Sequence, residues 1–468
     1  MATPPTPPTP PTLPPPPAPP TPPQSPPPPA PSHAYPADLA RFLVERLHPG
    51  PGDGAQATPA CPPPDLATLE ALLSTAYQAT LLREEERPVT FRLVFCAPEA
   101  FPSDAGPPSG LQRLELVSHR PYTPHALRRI APAAPYARAL IGVHLDEGGA
   151  LKIWGILQSG PLWLRSAVGG RGAAPELPSG ALVVRGFGPG LLAVDRDVEV
   201  LGELRGGSLA ACGGMDIFTS RWFPAAFSET RGELIALHAE AERCAPIPWT
   251  PLGPEIFRQI SQQMVKRIIA TMQVARHGGT VLLLPPELTR AVLEEALYVK
   301  LKYRFRDAEP RRRFRSLILS LMSTLAQSTP PEVGQIDWDT YERSRNPEVA
   351  ALDEAIFEMA HLTAGLADVD GAVVMTKRFE LLGFGGEIGG GAATLTTVRR
   401  ALDLEGAHYE LEPVDWVGTR HRSAYRLCHE IHGAVAIVAS HDGGIRIVAW
   451  KDGAVTYWDH VPRSARER

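Results

Sequence analysis

From Pro254 to the C-terminus, stretches with apolar residues at helical spacing alternate with short, wholly apolar runs, and no other feature restricts the fold as much. The first helical stretch can start at Pro254, which suits a helix's first turn, and run to His277, where Gly278-Gly279 stop it. "TVLLL" follows as a strand, then a helix from Pro286, the Arg-rich "RRRFRSLILSLMSTLA", and a helix with Leu352, Ile356 and Met359 on one face. The remainder is strand-rich: "GAVVMT", "FELLGFG", "AVAIVAS", "GIRIVAW" and "AVTYW", with Asp-Gly turns in "HDGG" and "KDGA". Helices that alternate with apolar strands and then yield to hairpins predict an α/β domain over 255–468, a mixed β-sheet flanked by helices.

Upstream of "PIPWTPLGP" (246–254) the pattern is different. Leu69, Leu72, Leu73, Tyr77 and Leu81 have helical spacing, "VTFRLVFC" alternates as a strand does, and "ALIGVHL-DEGG-ALKIWGIL" reads as a hairpin. The "GFGPG" stretch has the glycines of a dinucleotide loop, but "LLAVDRDVEV" after it reads as a strand. Without a helix there is no helix dipole for a pyrophosphate, so that function is excluded. Residues 37–250 are therefore expected to form a strand-rich α+β domain. Residues 1–36 are almost entirely Pro, Thr, Ala and Ser, with little to bury, and predict a disordered, polyproline-II-like tail acting as a spacer.

A chain of 468 residues suits two or three such domains. The formal net charge of −5 argues against a dedicated nucleic-acid binder. Five scattered cysteines without CxxC spacing read as reduced thiols. No apolar run reaches the length of a membrane span and no secretion signal opens the chain, so a cytoplasmic location is expected.

Chemistry concentrates in two places. In "WVGTRHRSAYR", Ala424, Leu427, Cys428 and Ile431 have helical spacing, which makes Gly418 and Thr419 the start of a helix. Free amides and the positive end of the helix dipole collect there, beside a hydroxyl and the guanidinium groups of Arg420 and Arg422. That combination suits phosphate. In "LADVDGAVVMT", Asp370 stands at the mouth of an apolar strand, followed by the small residues Gly371 and Ala372. A carboxylate beside a polyphosphate site is a usual means of holding Mg²⁺ during phosphoryl or nucleotidyl transfer.

"DGA", followed by "GTRHR" and the "AIVAS-HDGG-IRIV" hairpin, resembles the diadenylate cyclase family, which condenses two ATP into cyclic di-AMP. The similarity begins at "MVKRIIATMQVARHGGTVLLLP" and covers 255–468, more loosely over 288–340. The upstream region is similar to the sensor domains, of DACNV type, fused to one subgroup of these enzymes. The resemblance implies that Asp370 holds Mg²⁺ or Mn²⁺ and helps activate the attacking 3′-hydroxyl. It places Gly371 and Ala372 against the nucleotide, Gly418, Thr419, Arg420, His421 and Arg422 at the triphosphate, Ser440 nearby, and Ile388 as an apolar ATP contact. His441 and Asp442 stand where the family often has acidic residues. It also implies a homodimer or higher oligomer, because two ATP sites must face each other.

Two further stretches have plainer readings. "CHEIH" (428–432) lacks the spacing of a zinc peptidase, and Cys428 belongs to an apolar stripe. Arg311, Arg312, Arg313 and Arg315 open a helix whose continuation is buried, so they read as its solvated first turn. The competing functional class is a catalytically silent module that binds ATP or cyclic di-AMP. No motif identifies the ligand of the N-terminal domain.

Overall fold

The computed structural model describes residues 33–47, 59–106, 110–160, 177–196, 199–211, 215–275, 278–389, 395–440 and 444–460. Residues 1–32 of the predicted tail, Cys212, His441 and Asp442 lie outside them. The described end of the tail is tied down. The Ala34 amide donates to the Gly207 carbonyl (2.7 Å) and the Tyr35 amide to the Asp38 carboxylate (2.8 Å), and helix α1 (Pro36–Leu47) starts there.

The fold is mixed α/β with two large sheets. In the N-terminal half, the strands of the large sheet are β1 (Phe91–Phe95), β2 (Gln112–Pro121), β3 (Ala139–Leu145), β4 (Leu151–Gln158), β5 (Leu182–Gly188), β6 (Leu191–Arg196), β7 (Glu199–Arg205) and β8 (Ser208–Ala211). They line up as β8-β7-β6-β5-β1-β3-β4-β2, with β1 and β3 parallel and the other neighbours antiparallel. Helix α2 (Leu66–Thr80) is capped by Asp65, whose carboxylate accepts from the Thr68 amide at 2.8 Å. Leu39 and Leu43 of α1 and Leu69, Leu72 and Leu73 of α2 bury their stripes against one sheet face, over Phe91 and Leu93. "GFGPG" forms the end of β5 and its hairpin turn into β6, a place for tight backbone rather than phosphate.

The opposite face carries a smaller core of Phe101, Leu140 and Trp154 that also contains Cys61 and Cys96. These two are disulfide-bonded, which corrects the expectation of reduced thiols. The Cys61 amide donates to Ser179 O (3.0 Å), seating the loop before α2 beside the end of β1 with Cα atoms 5.3 Å apart. Tertiary packing makes that juxtaposition, and linear spacing does not reveal it.

Among the described residues, the C-terminal half forms a nine-stranded sheet. Its strands are β9 (Gly279–Leu284), β10 (Val299–Arg304), β11 (Ala372–Thr376), β12 (Leu381–Ile388), β13 (Thr397–Ala401), β14 (Tyr409–Pro413), β15 (Val435–Ala439), β16 (Ile445–Lys451) and β17 (Ala454–His460). Their order is β10-β12-β11-β9-β15-β16-β17-β13-β14, with β9/β11 and β13/β17 parallel. Side chains alternate across this sheet. Val281, Leu283, Val373, Ile437 and Ile447 face α4 (Pro254–Ala275), α5 (Glu309–Ser328) and α6 (Pro347–Leu366). Leu282, Ala372, Val374, Ala436, Val438 and Val448 face α7 (Thr419–Glu430). The predicted mixed sheet with helices on it is thus present. Inside the helical layer, Arg267 of α4 pairs with Asp353 of α6 at 2.6 Å with both side chains buried, fixing the two long helices to each other.

By contact, residues from Ala34 onward form one unit. Within it the C-terminal core reaches further upstream than the change in sequence pattern. Ile217, Phe218, Phe223 and Phe227, with Leu234 of α3 (Ser228–Arg243), bury in the same cluster as α4 and α5. Trp222 stacks on Trp458 of β17 at 4.3 Å, and Glu233 of α3 pairs with Arg315 and Arg378. The short segment at Met215 bridges His460 at the end of β17.

Candidate functional site

Strand register decides which residues share a rim. Thr280 of β9 lies opposite Ala372 of β11, Gly279 opposite Ala439 of β15, and Ala439 opposite Ile445 of β16. On the other side, Ala372 lies opposite Gly386 of β12, and Ile388 opposite Val299 of β10. Asp370 and Gly371, Ser440, and Ile388 therefore all sit at one end of the sheet. Asp370 and Ser440 extend strands two steps apart, which corresponds to roughly 10 Å.

Helix α7 starts at the same end. Gly418 caps it in an extended conformation and offers no side-chain cap to the first turn, the end of a helix at which the dipole is positive. His421 Nε2 lies 3.5 Å from Ser440 Oγ, which joins the helix start to the end of β15. Thr419 is exposed, and Arg420, His421 and Arg422 are half-buried. The helix is held by residues that the sequence did not single out. Tyr425 is buried against the sheet, and Arg446 donates from Nη1 to its hydroxyl (3.3 Å) and from Nε to Asp459 (3.0 Å). The Arg446 guanidinium also lies 4.4 Å over the ring of Tyr457, whose hydroxyl donates to Glu412 at 2.6 Å. Burial pushes the Tyr425 phenol up to about 12, so it remains a neutral hydrogen-bonding group.

The Asp370 side chain is 93% exposed, and its nearest charged partner is Lys302 Nζ at 3.9 Å. Lys302 also pairs with Glu387 of β12 at 3.1 Å, and this hydrogen bond raises its pKa, so it stays cationic. Neither Lys302 nor Glu387 carries a sequence signal, because they meet only through the β10–β12 pairing. Exposed carboxylate oxygens are hard donors, and one or two carboxylates plus substrate phosphates are what Mg²⁺ or Mn²⁺ uses. Asp370, with Glu387 as a neighbour, fits such an ion, with Lys302 competing for the same charge.

Gly371 is confined by the backbone of the neighbouring strand. It lies at φ +110°, and a Cβ there would come within 2.6 Å of the Gly385 backbone carbon. Its smallness is required by the crossing of β12. Ala372 is likewise buried in the sheet, facing the α7 layer, and Ile388 is half-buried against that layer. Cys428 packs in the same core with its sulfur 3.5 Å from the Val448 carbonyl, and burial pushes its thiol up to about 12. His432 stacks on Trp450 at 3.9 Å, so "CHEIH" is accounted for by packing. In the Arg-rich helix start, Phe314 is fully buried, and Arg313 and Arg315 pair with Glu309 and Glu233.

Residues 58–158 match the family described as "Probable sensor domain DACNV". That match falls on the N-terminal sheet. Among curated proteins, none matches the chain. No described helix is long and apolar enough to cross a membrane.

Proposed function

We propose that the C-terminal half is a diadenylate cyclase that condenses two ATP into cyclic di-AMP and two pyrophosphates, controlled by the N-terminal sensor-like half. The observation that carries the reading is the gathering at one sheet end of a glycine-capped helix start bearing Thr419, Arg420, His421 and Arg422, together with Ser440 and Asp370. The helix-start amides and the two guanidinium groups would grip the triphosphate and hold its charge away from water. Asp370 would hold Mg²⁺ or Mn²⁺, whose charge neutralises the phosphates during transfer. The 3′-hydroxyl of one ATP attacks the α-phosphorus of the other and pyrophosphate leaves. A second attack in the opposite sense closes the ring. Positioning supplies most of the catalysis, so two copies must present their sheet ends to each other.

A silent nucleotide-binding module is the second reading, favoured by the Lys302 ammonium that stands beside Asp370. One experiment separates the two. The full chain is incubated with ATP and Mg²⁺ or Mn²⁺, and products are identified by mass. Cyclic di-AMP supports the enzyme, whereas ATP bound but unconsumed supports the silent module.

A further inference from the structure

The N-terminal sheet holds a pair of imidazoles that the proposed reaction does not use. On the edge strand β2, the pairing with β4 jumps from Glu115↔Gly155 to Arg120↔Ile153. Residues 116–119 thus stand opposite Trp154 alone, and they bulge from the edge with Val117 fully exposed. The bulge sets His119 over His144 of β3. His119 Nδ1 lies 3.0 Å from His144 Nε2, with the rings nearly perpendicular at 81°. The other His119 nitrogen, Nε2, faces Glu115 Oε1 at 3.4 Å.

We infer that His119 and His144 form a two-histidine site for a divalent transition-metal ion such as Zn²⁺, placed on the edge of the sensor-like sheet. Two nitrogens that ligate one ion at about 2.0–2.1 Å each stand roughly 3 Å apart, close to the spacing already present. Imidazole nitrogens select Zn²⁺, Ni²⁺ or Cu²⁺ over Mg²⁺. Glu115 supplies the carboxylate that ligating histidines use to fix the proton on their outer nitrogen, and Arg113 steadies it at 3.6 Å. The neighbouring Asp146 is committed to its own turn, accepting from the Gly148 and Ala150 amides (3.0 and 2.8 Å). Among the described residues no three His, Cys, Asp or Glu gather as a metal site, so water completes the coordination shell of the ion. On binding, the proton shared between the two rings moves to an outer nitrogen, and neither imidazole need change charge.

The test is calorimetric titration of the full chain with Zn²⁺ in excess Mg²⁺, at a pH where imidazole is neutral. His119→Ala and His144→Ala should each remove the same single equivalent. Glu115→Gln should keep it with affinity lowered about ten- to a hundredfold. Ser118→Ala, on the same bulge, should bind as the unmodified chain does. Zn²⁺ should also shield both histidines from diethyl pyrocarbonate in the unmodified protein, a readout independent of how the variants fold. Zn²⁺ binding that is unchanged in both histidine variants would overturn the site. So would an unmodified chain in which Zn²⁺ leaves both imidazoles reactive, and the pair would then be a plain hydrogen-bonded couple.

Discussion

In the C-terminal sheet, Asp370, Ser440 and the start of α7 stand where strands end, so their polar groups project from a finished core. In the N-terminal sheet, polar groups are made between neighbouring segments. Arg185 of β5 donates to Asp195 of β6 at 2.8 Å, His119 of β2 meets His144 of β3, and Cys61 is bonded to Cys96. The first arrangement separates chemistry from stability, since a rim residue can change with the core left intact. The second merges them, because each polar pair is also a tie within the sheet.

The largest effects should therefore come from rim residues, and in activity alone. Asp370→Asn keeps shape while removing the charge that would hold the metal, and should abolish cyclic di-AMP synthesis with unfolding unchanged. Arg420→Ala and Arg422→Ala should each cost about 1.5–3 kcal/mol of triphosphate binding, the worth of a charge-assisted contact. Arg313→Ala, whose partner is Glu309 in its own helix, should leave ATP handling alone. Equal losses from all three arginines would dissolve the distinction between rim and surface.

A second way to sharpen the comparison is to separate the halves. Cutting after Ala211 keeps Phe218, Phe223, Phe227 and Leu234 in the core they share with α4 and α5. Cutting after Thr250 removes all four, and also takes away the Ala226 carbonyl that accepts from the half-buried Lys377 ammonium at 2.8 Å. Each large buried side chain lost costs about 2–5 kcal/mol, so the shorter fragment should be insoluble or molten while the longer one folds. Circular dichroism and urea titration of both fragments decide this. Two equally stable fragments would mean that residues 215–243 are ornamental to the C-terminal core.

What was legible in sequence follows the same division. The helix start at Gly418, the strand mouth at Asp370 and the hairpin around Asp146 are local patterns, and each lies where its residues predict. Lys302 beside Glu387, Arg446 beneath Tyr425, and the Cys61–Cys96 bond are products of pairing between distant segments, and nothing at single positions announces them. Gly371 shows the intermediate case. Its smallness was visible, but the cause, a backbone crossing at Gly385, was not.

The disulfide offers a test confined to the N-terminal sheet. Cys61→Ala with Cys96→Ala opens a link spanning 35 residues, for which loop entropy predicts a loss of about 4 kcal/mol. Urea unfolding should show that loss in the N-terminal sheet, with product formation by the rim residues retained. A loss of synthesis at full stability would tie the sensor-like half to the site more directly than packing suggests.

The smallest expected effect concerns the joint between the halves. His460 at the end of β17 is buried, with Nδ1 lying 3.1 Å from the Met215 carbonyl and 3.4 Å from the Ile217 amide, and the Phe218 ring packs edge-on against it. Burial lowers its pKa from 6.5 to about 4, with Lys266 pulling the same way and Asp216 opposing. The imidazole is thus neutral when folded, whereas the unfolded chain takes up a proton below about 6.5. Between those values the unfolded state binds more protons, so stability falls as pH drops, by about 1.4 kcal/mol per unit and about 3 kcal/mol at most. His144 and His238 are also lowered by burial and add to any global slope, so the readout has to be local. Hydrogen exchange at the Ile217 and Phe218 amides should accelerate between pH 6.5 and 5, after correction for intrinsic rates. His460→Asn, which keeps a polar group near Nδ1 but cannot titrate, should flatten that dependence. An equally steep dependence in the variant would move the acid-sensitive joint away from His460.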